Sequence, residues 1–270
     1  RRMNSKAKSF IKNFSYTFMA NAVSFLISAV LVFFVPKRLG VEQYGYWQLY
    51  TLYTSYVGFF HLGWCDGVYL RYGGQDYHEL EKPVFVTQFW MLTAFEFLIT
   101  AGLGIYGFCI VPEAEKGFIL AMMGVCALLL IPRTYLGFVL QFTNRIKEYA
   151  AITMLERVIY FVLVTALVLG GVQDYRLLLA ADLIGKAVGL VVAVCRCRDI
   201  VFGRMVPFRS GLSEAGKNIN VGFKLMIANI ASLLIVGIVR MTIENKWGVA
   251  TFGKVSLTMS VSNLLMVFIS

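Results

Sequence analysis

Seven charged residues lie inside long apolar runs of this sequence: Glu96, Arg133, Glu156, Arg157, Asp182, Lys186 and Arg240. A charge at the centre of a bilayer costs about 2.5–3.5 kcal/mol on insertion scales, so such a residue faces a cavity or a partner. Arg133 and Glu96 lie deepest. Arg133 follows Pro132, which can kink a helix and free backbone groups there. A fixed guanidinium suits a pyrophosphate, which it grips as a fork. The plainer alternative is a structural Arg133–Glu96 ion pair. Asp182 and Lys186 are four apart and share a helix face. Either they neutralise each other or Asp182 is a site for H+ or Na+. Glu156 and Arg157 are adjacent, point about 100° apart and take different partners. Glu156 is a second ion-coupling candidate, and Arg157 either joins a cavity or snorkels. Arg240, near the end of its run, has the same two options, with snorkelling the favoured one. Asp66 and Arg71, set among Gly63, Gly67, Gly73 and Gly74, read as gate residues or as a hydrated helix end.

Other chemistry finds no footing. The two histidines, His61 and His78, are far apart and have no metal-ligand spacing. Cys195 and Cys197 have no second pair to complete a metal site, and the five cysteines read as small buried hydrophobes. There is no phosphate-cradling Walker sequence. No metal, cofactor or enzymatic motif is expected.

The elements that must position these residues follow from composition. Hydrophobic residues make up 59% and charged residues 15% of the chain, against roughly 25% charged in a soluble domain. A bilayer solvates that much apolar surface. The net charge of +10 lies between apolar runs, so it reads as membrane topology rather than nucleic-acid binding. Eight runs are long enough to span: about 14–36, 45–70, 84–111, 117–141, 149–170, 177–198, 219–243 and 252–270. The first is too long for a signal peptide and reads as a retained span. The predicted fold is an all-α polytopic transmembrane bundle. Lys and Arg concentrate at the N-terminus and in the even-numbered loops, including Arg1, Arg2, Lys6, Lys8, Lys12, Arg145 and Lys147, which predicts a cytoplasmic N-terminus. The stretch 201–218 is basic, carries Pro207 and lacks apolar periodicity. It reads as a cytoplasmic linker, open to anionic lipid headgroups, between a six-helix lobe at 1–200 and two helices at 219–270.

A shift of 208 residues lays Asn13–Phe60 over Val221–Phe268. Ala20-Asn21 then meets Ala228-Asn229, Ser24 meets Ser232, Gly40-Val41 meets Gly248-Val249, Gly45 meets Gly253, and Phe60 meets Phe268. Six spans separate the copies, so they share one orientation and the repeat axis runs along the membrane normal. Two facing lobes suit alternating access, and the second is expected to be cut short at Ser270. Asn21 and Asn229 hold equivalent positions, as interhelical glue or as donors to sugar hydroxyls. Tyr44, Tyr46, Trp47, Tyr50, Tyr53 and Tyr56 crowd the second run, as an interfacial belt and packing or as sugar-stacking faces.

Leu39-Gly40-Val41-Glu42-Gln43-Tyr44-Gly45 resembles the connection after the first span of bacterial polysaccharide transporters. So do Leu62-Gly63-Trp64-Cys65-Asp66-Gly67 with Leu70-Arg71-Tyr72-Gly73. Leu140 to Ala150, reading LQFTNRIKEYA, is similar to their link between the fourth and fifth spans. These transporters are the O-antigen type flippases of lipid-linked oligosaccharides, within the superfamily of multidrug and toxin extruders. The resemblance implies two six-helix bundles around a central cavity and no enzymatic activity. It further implies movement of an undecaprenyl-pyrophosphate-linked glycan across the bacterial cytoplasmic membrane, coupled to H+ or Na+. Membrane lipids and the lipid-linked glycan are the expected partners. A multidrug extruder is the rival within the superfamily. A glycan polymerase or ligase is the rival outside it, disfavoured by the short external loops.

Overall fold

The computed structural model describes residues 5–269, with side chains at 14–231 and 233–264. Arg1 and Arg2, the side chains of Lys6, Lys8, Lys12, Ser232 and Phe268, and Ser270 lie outside the described residues. Among the described residues nine α-helices follow in order: α1 (Ser5–Phe34), α2 (Val41–Ser55), α3 (Trp64–Tyr72), α4 (Lys82–Cys109), α5 (Ala114–Phe142), α6 (Ile146–Leu169), α7 (Tyr175–Arg196), α8 (Arg198–Val201) and α9 (Phe208–Ile269). No strand occurs among the described residues. Among the described residues five helices are long and apolar enough to cross a membrane: Phe14–Phe34, Lys82–Cys109, Ala114–Phe142, Ile146–Leu169 and Tyr175–Arg196. They match the first, third, fourth, fifth and sixth apolar runs. The chain is therefore an all-helical, multi-pass membrane protein.

The second run departs from expectation, because 45–70 is not one helix. It breaks at a 3-10 turn, Val57–Phe59, and again at Leu62 (φ 52°) and Gly63 (φ 80°). Two successive left-handed residues cannot continue a right-handed helix. Gly63 also packs where a Cβ would come within 2.5 Å of the Phe223 nitrogen, so only glycine fits. The broken element still carries the chain from one end of the bundle to the other. Gln43 Oε1 accepts from the Tyr175 N–H at 3.1 Å, whereas Arg71, past the break, pairs with Glu214 at 2.6 Å.

Part of the expected linker is itself helical. Residues 208–218 are helical and continuous with the seventh run. This part of α9 docks on α3 and α4 through small and polar residues. Gly211 lies against Thr87 and Met91, and Gly222 against the Gly63 carbonyl. Gln88 Nε2 donates to the Gly211 carbonyl at 2.7 Å. Tyr72 Oη donates to Glu214 at 2.7 Å, and Arg71 bonds Asn218 as well. An interface of glycine, glutamate and asparagine at helical spacing carries no apolar periodicity.

Further along, α9 bends by 49° between Phe208–Ala231 and Leu233–Leu264. It breaks at Gly248, with φ 76° and ψ 172°. Gly40, which precedes α2, is also non-helical, though in the ordinary extended region, with φ −63° and ψ 159°. The paired glycines of the 208-residue repeat thus break the helix at equivalent places. The repeat-related segments also touch. A Cβ on Gly45 would strike the Val249 carbonyl, and one on Gly253 would lie 3.2 Å from the Val41 carbonyl and 3.0 Å from Gly45 Cα. Such reciprocal contact, i to j′ and i′ to j, is the mark of a two-fold interface.

Helices α4 and α5 meet backbone to backbone. A Cβ on Gly107 would strike the Gly117 carbonyl, and one on Gly117 the Gly107 carbonyl. Gly107→Ala is expected to wedge the helices apart at a cost of about 1–3 kcal/mol. Gly104→Ala, where nothing lies within 4 Å, should be neutral or stabilising. Thermal unfolding of both variants in detergent checks this, and equal melting temperatures would refute the close contact.

Candidate functional site

A cavity of about 430 Å³ opens where α1, α2, α6, α7 and α9 converge. Its charged lining is Glu156 and Arg157 of α6, Asp182 and Lys186 of α7, and Arg240 of α9. Trp47, Tyr50 and Tyr160 supply aromatic faces, and Gln48, Thr51, Ser28 and Ser260 supply neutral polar groups. Five of the candidates read from the sequence therefore share one site. Arg133 reaches it from α5 through Glu156.

The charges are not all free. Lys186 and Asp182 form an i,i+4 ion pair, and Tyr50 Oη donates to Asp182 at 2.7 Å. That pairing is one of the two alternatives set out for these residues. The Arg133–Glu96 pair is a correction. Arg133 instead lies 3.1 Å from Glu156 Oε2 and donates to Thr153 Oγ1 at 2.9 Å. The sequence could not select between two carboxylates on different helices. The choice came from α7, whose Gly189 leaves room for Glu156: a Cβ there would lie 3.1 Å from Oε2.

Arg240 is a further correction, because it does not snorkel outward. Its guanidinium donates to Gln48 Oε1 at 3.2 Å and to Ser256 Oγ at 3.0 Å. It lies 5.3 Å from the centre of the Phe252 ring. Gln48 and Ser256 are repeat equivalents, as are Tyr44 and Phe252, so Arg240 sits at the contact between the two copies. Its Nε is buried without an acceptor. Arg157 has no ion pair among the described residues. Counting Arg133, the site holds four cations and two carboxylates. Among the described residues, Arg157 and Arg240 are the two of these cations without an ion pair.

The other candidates lie elsewhere. Glu96 is fully buried on α4, away from the cavity lining. Asn21 and Asn229 are exposed side chains outside that lining. Asp66 lies 4.0 Å from His61 Nε2, and Arg71 is bound up with Glu214 and Asn218. Sequence reasoning missed Gln48, Ser256, Glu214 and Asn218. The matched positions 48 and 256 were the one signal available for the first two.

The ends of the bundle are tied by polar contacts. Lys116 pairs with the buried Glu244 at 2.7 Å, fastening α9 to α5 at the end opposite Arg71–Glu214. At the Arg71 end, Asp199 bonds both Lys82 and Tyr77, and Arg145 stacks 4.3 Å over the Tyr77 ring. Burial alone would raise the Asp199 pKa. The Lys82 ammonium and the Tyr77 hydroxyl outweigh it, so the net shift is downward from 3.8. Burial and the Asp199 bond push Tyr77 upward. A depressed carboxyl stabilises the fold above its ordinary pKa and loses that contribution as pH falls through its lower folded value. Asp199→Asn should therefore cost up to about 1 kcal/mol at pH 7, given its exposure. Melting curves of the two proteins should converge as pH falls below 3.8, and a pH-independent gap would exclude the charge as the cause.

No family model matches the chain, and neither a curated protein nor a solved structure matches it.

Proposed function

We propose that this chain is part of a transporter for lipid-linked glycans in the bacterial cytoplasmic membrane. It handles an undecaprenyl-pyrophosphate-type substrate by alternating access between two MATE-like lobes. One observation carries the reading. Arg157 and Arg240, two guanidiniums without carboxylate partners, line a cavity at the contact between repeat-related helices. Guanidinium is the side chain that best matches phosphate oxygens. Trp47, Tyr50 and Tyr160 beside them offer flat faces for sugar rings. The excess of cations argues against the rival reading, a multidrug extruder for cationic compounds.

The direct test is binding to the purified chain in detergent. Undecaprenyl pyrophosphate should bind saturably and be displaced by inorganic pyrophosphate, whereas undecaprenol should not compete. Equal binding of the alcohol would leave only a greasy surface and end the proposal. The proposed orientation has its own check. A reporter fused after Arg38 should read as external and one after Lys147 as cytoplasmic, and the reverse pattern would overturn it.

A further inference from the structure

Glu96 takes no part in the cavity that Arg157 and Arg240 line. It is midway along the 28-residue helix α4, about 21 Å from its start at 1.5 Å per residue. Its side chain is 0% exposed, and both carboxyl oxygens are buried without a partner. Glu156, Asp182 and Glu244 each have a cation at hand, in Arg133, Lys186 and Lys116, and Asp66 has His61 Nε2 at 4.0 Å; Glu96 has neither. An ionised carboxylate without water, donor or cation is far costlier to bury than the neutral acid.

The surroundings supply no counter-charge. From α3, the buried Cys65 shares a cluster with Phe89 and Leu92, about two turns and one turn before Glu96, and its chain neighbour Asp66 is itself an acid. The register of α4 on α5 is set by Gly107 against Gly117 and by Thr100 Oγ1 donating to the Gly124 carbonyl. It places an uncharged stretch of α5, 119–132, opposite Glu96. The one titratable group in that stretch, Cys126, is a buried thiol and brings no positive charge. From α8, Asp199 is held by Lys82. From α9, Glu214 pairs with Arg71 and Lys217.

We infer that Glu96 is a proton-binding site, closed and loaded in this conformation, which discharges when α3 and α4 part. On discharge the carboxyl O–H bond breaks, and the proton passes to water admitted between the helices. The carboxylate left behind disfavours reclosure until it is reprotonated. On the transport reading above, on which this last link rests, that cycle ties H+ to reorientation of the bundle. The coupling group is then Glu96, whereas Asp182 is tied up by Lys186 and Tyr50.

Infrared spectroscopy of the purified full chain at neutral pH should show the carbonyl stretch of a protonated carboxyl, missing in Glu96→Gln. The folded chain keeps a proton that an unfolded glutamate releases above about pH 4.3. Wild-type stability should therefore fall as pH rises, by up to about tenfold in the folding equilibrium per pH unit. Glu96→Gln, a permanent mimic of the acid, should lack that slope and equal or exceed wild-type stability at neutral pH. Persistence of the band in Glu96→Gln, or a Gln variant less stable than wild type at neutral pH, would overturn the inference. The wild-type pH series provides the same decision should the variant misfold, because a flat series also overturns it. Failure of wild type to bind undecaprenyl pyrophosphate would sink the transport reading and leave the proton site standing.

Discussion

Arg240→Ala is expected, on the proposed transport function, to lower export of lipid-linked glycan about ten- to a hundredfold. Arg157→Ala should act in the same direction. The reasoning starts from what each guanidinium already has. Arg240 is held by two neutral oxygens, Gln48 Oε1 and Ser256 Oγ, and keeps a buried Nε without an acceptor. Its charge is oriented yet uncompensated, so an anion entering the cavity gains a prepaid partner. Hydrogen bonds to a charged group are worth about 1.5–3 kcal/mol, which corresponds to that range of rate or affinity. Lysine at either position keeps the charge and loses the fork, so it should retain part of the activity. Arg209→Ala, an exposed arginine outside the cavity, is the control and should export at nearly the wild-type rate. Export in cells lacking their own flippase, normalised to membrane-inserted protein, measures the effect. Full activity in Arg157→Ala and Arg240→Ala together would remove both from the site.

Breaking the Arg133–Glu156 pair should have the largest effect on stability. Both side chains are largely buried. Their contact is an ion pair at 3.1 Å rather than an aligned hydrogen bond, since Glu156 Oε2 and Arg133 Nε each lack a hydrogen-bond partner. Glu156→Gln would leave Arg133 with only Thr153 and the face of Tyr149, 5.8 Å away. An uncompensated buried charge costs about 3–5 kcal/mol. Arg133→Met combined with Glu156→Met should recover most of that loss, because two apolar side chains replace two desolvated charges. Melting temperatures of the two singles and the double decide it. Additive losses would mean that the residues do not interact.

Much of this fold was legible in the sequence. Apolar runs of the right length identified five spanning helices to within a few residues, because in lipid an α-helix satisfies its own backbone polar groups. The same economy explains what was illegible. Hydropathy counts side chains, so it ran through Leu62 and Gly63, where backbone dihedrals interrupt the helix. It also passed over 208–218, where a helix docks by close backbone approach at Gly211 and Gly222 and by polar bonds at Glu214 and Asn218. The repeat was visible through Gly45/Gly253, where close backbone packing leaves no room for a Cβ, and through Gly248, whose φ of 76° favours glycine; its match Gly40 has room and an ordinary dihedral. The repeat's partners at the axis, Gln48 and Ser256, differ chemically and gave no signal alone.

For the buried charges the division is clear. Sequence alone determined which residues must find a partner or a cavity, since the cost of a charge in hydrocarbon depends only on its being there. It also settled the Asp182–Lys186 pairing as one of two options, because i,i+4 geometry is local. Tertiary structure decided everything that depends on distance between helices. Arg133 went to Glu156 because Gly189 opened the space, Arg240 turned inward to oxygens of two repeat-related helices, and Glu96 was enclosed with no cation. Coulomb and desolvation energies are set by separations of a few ångströms, and residues far apart along the chain acquire such separations only on packing.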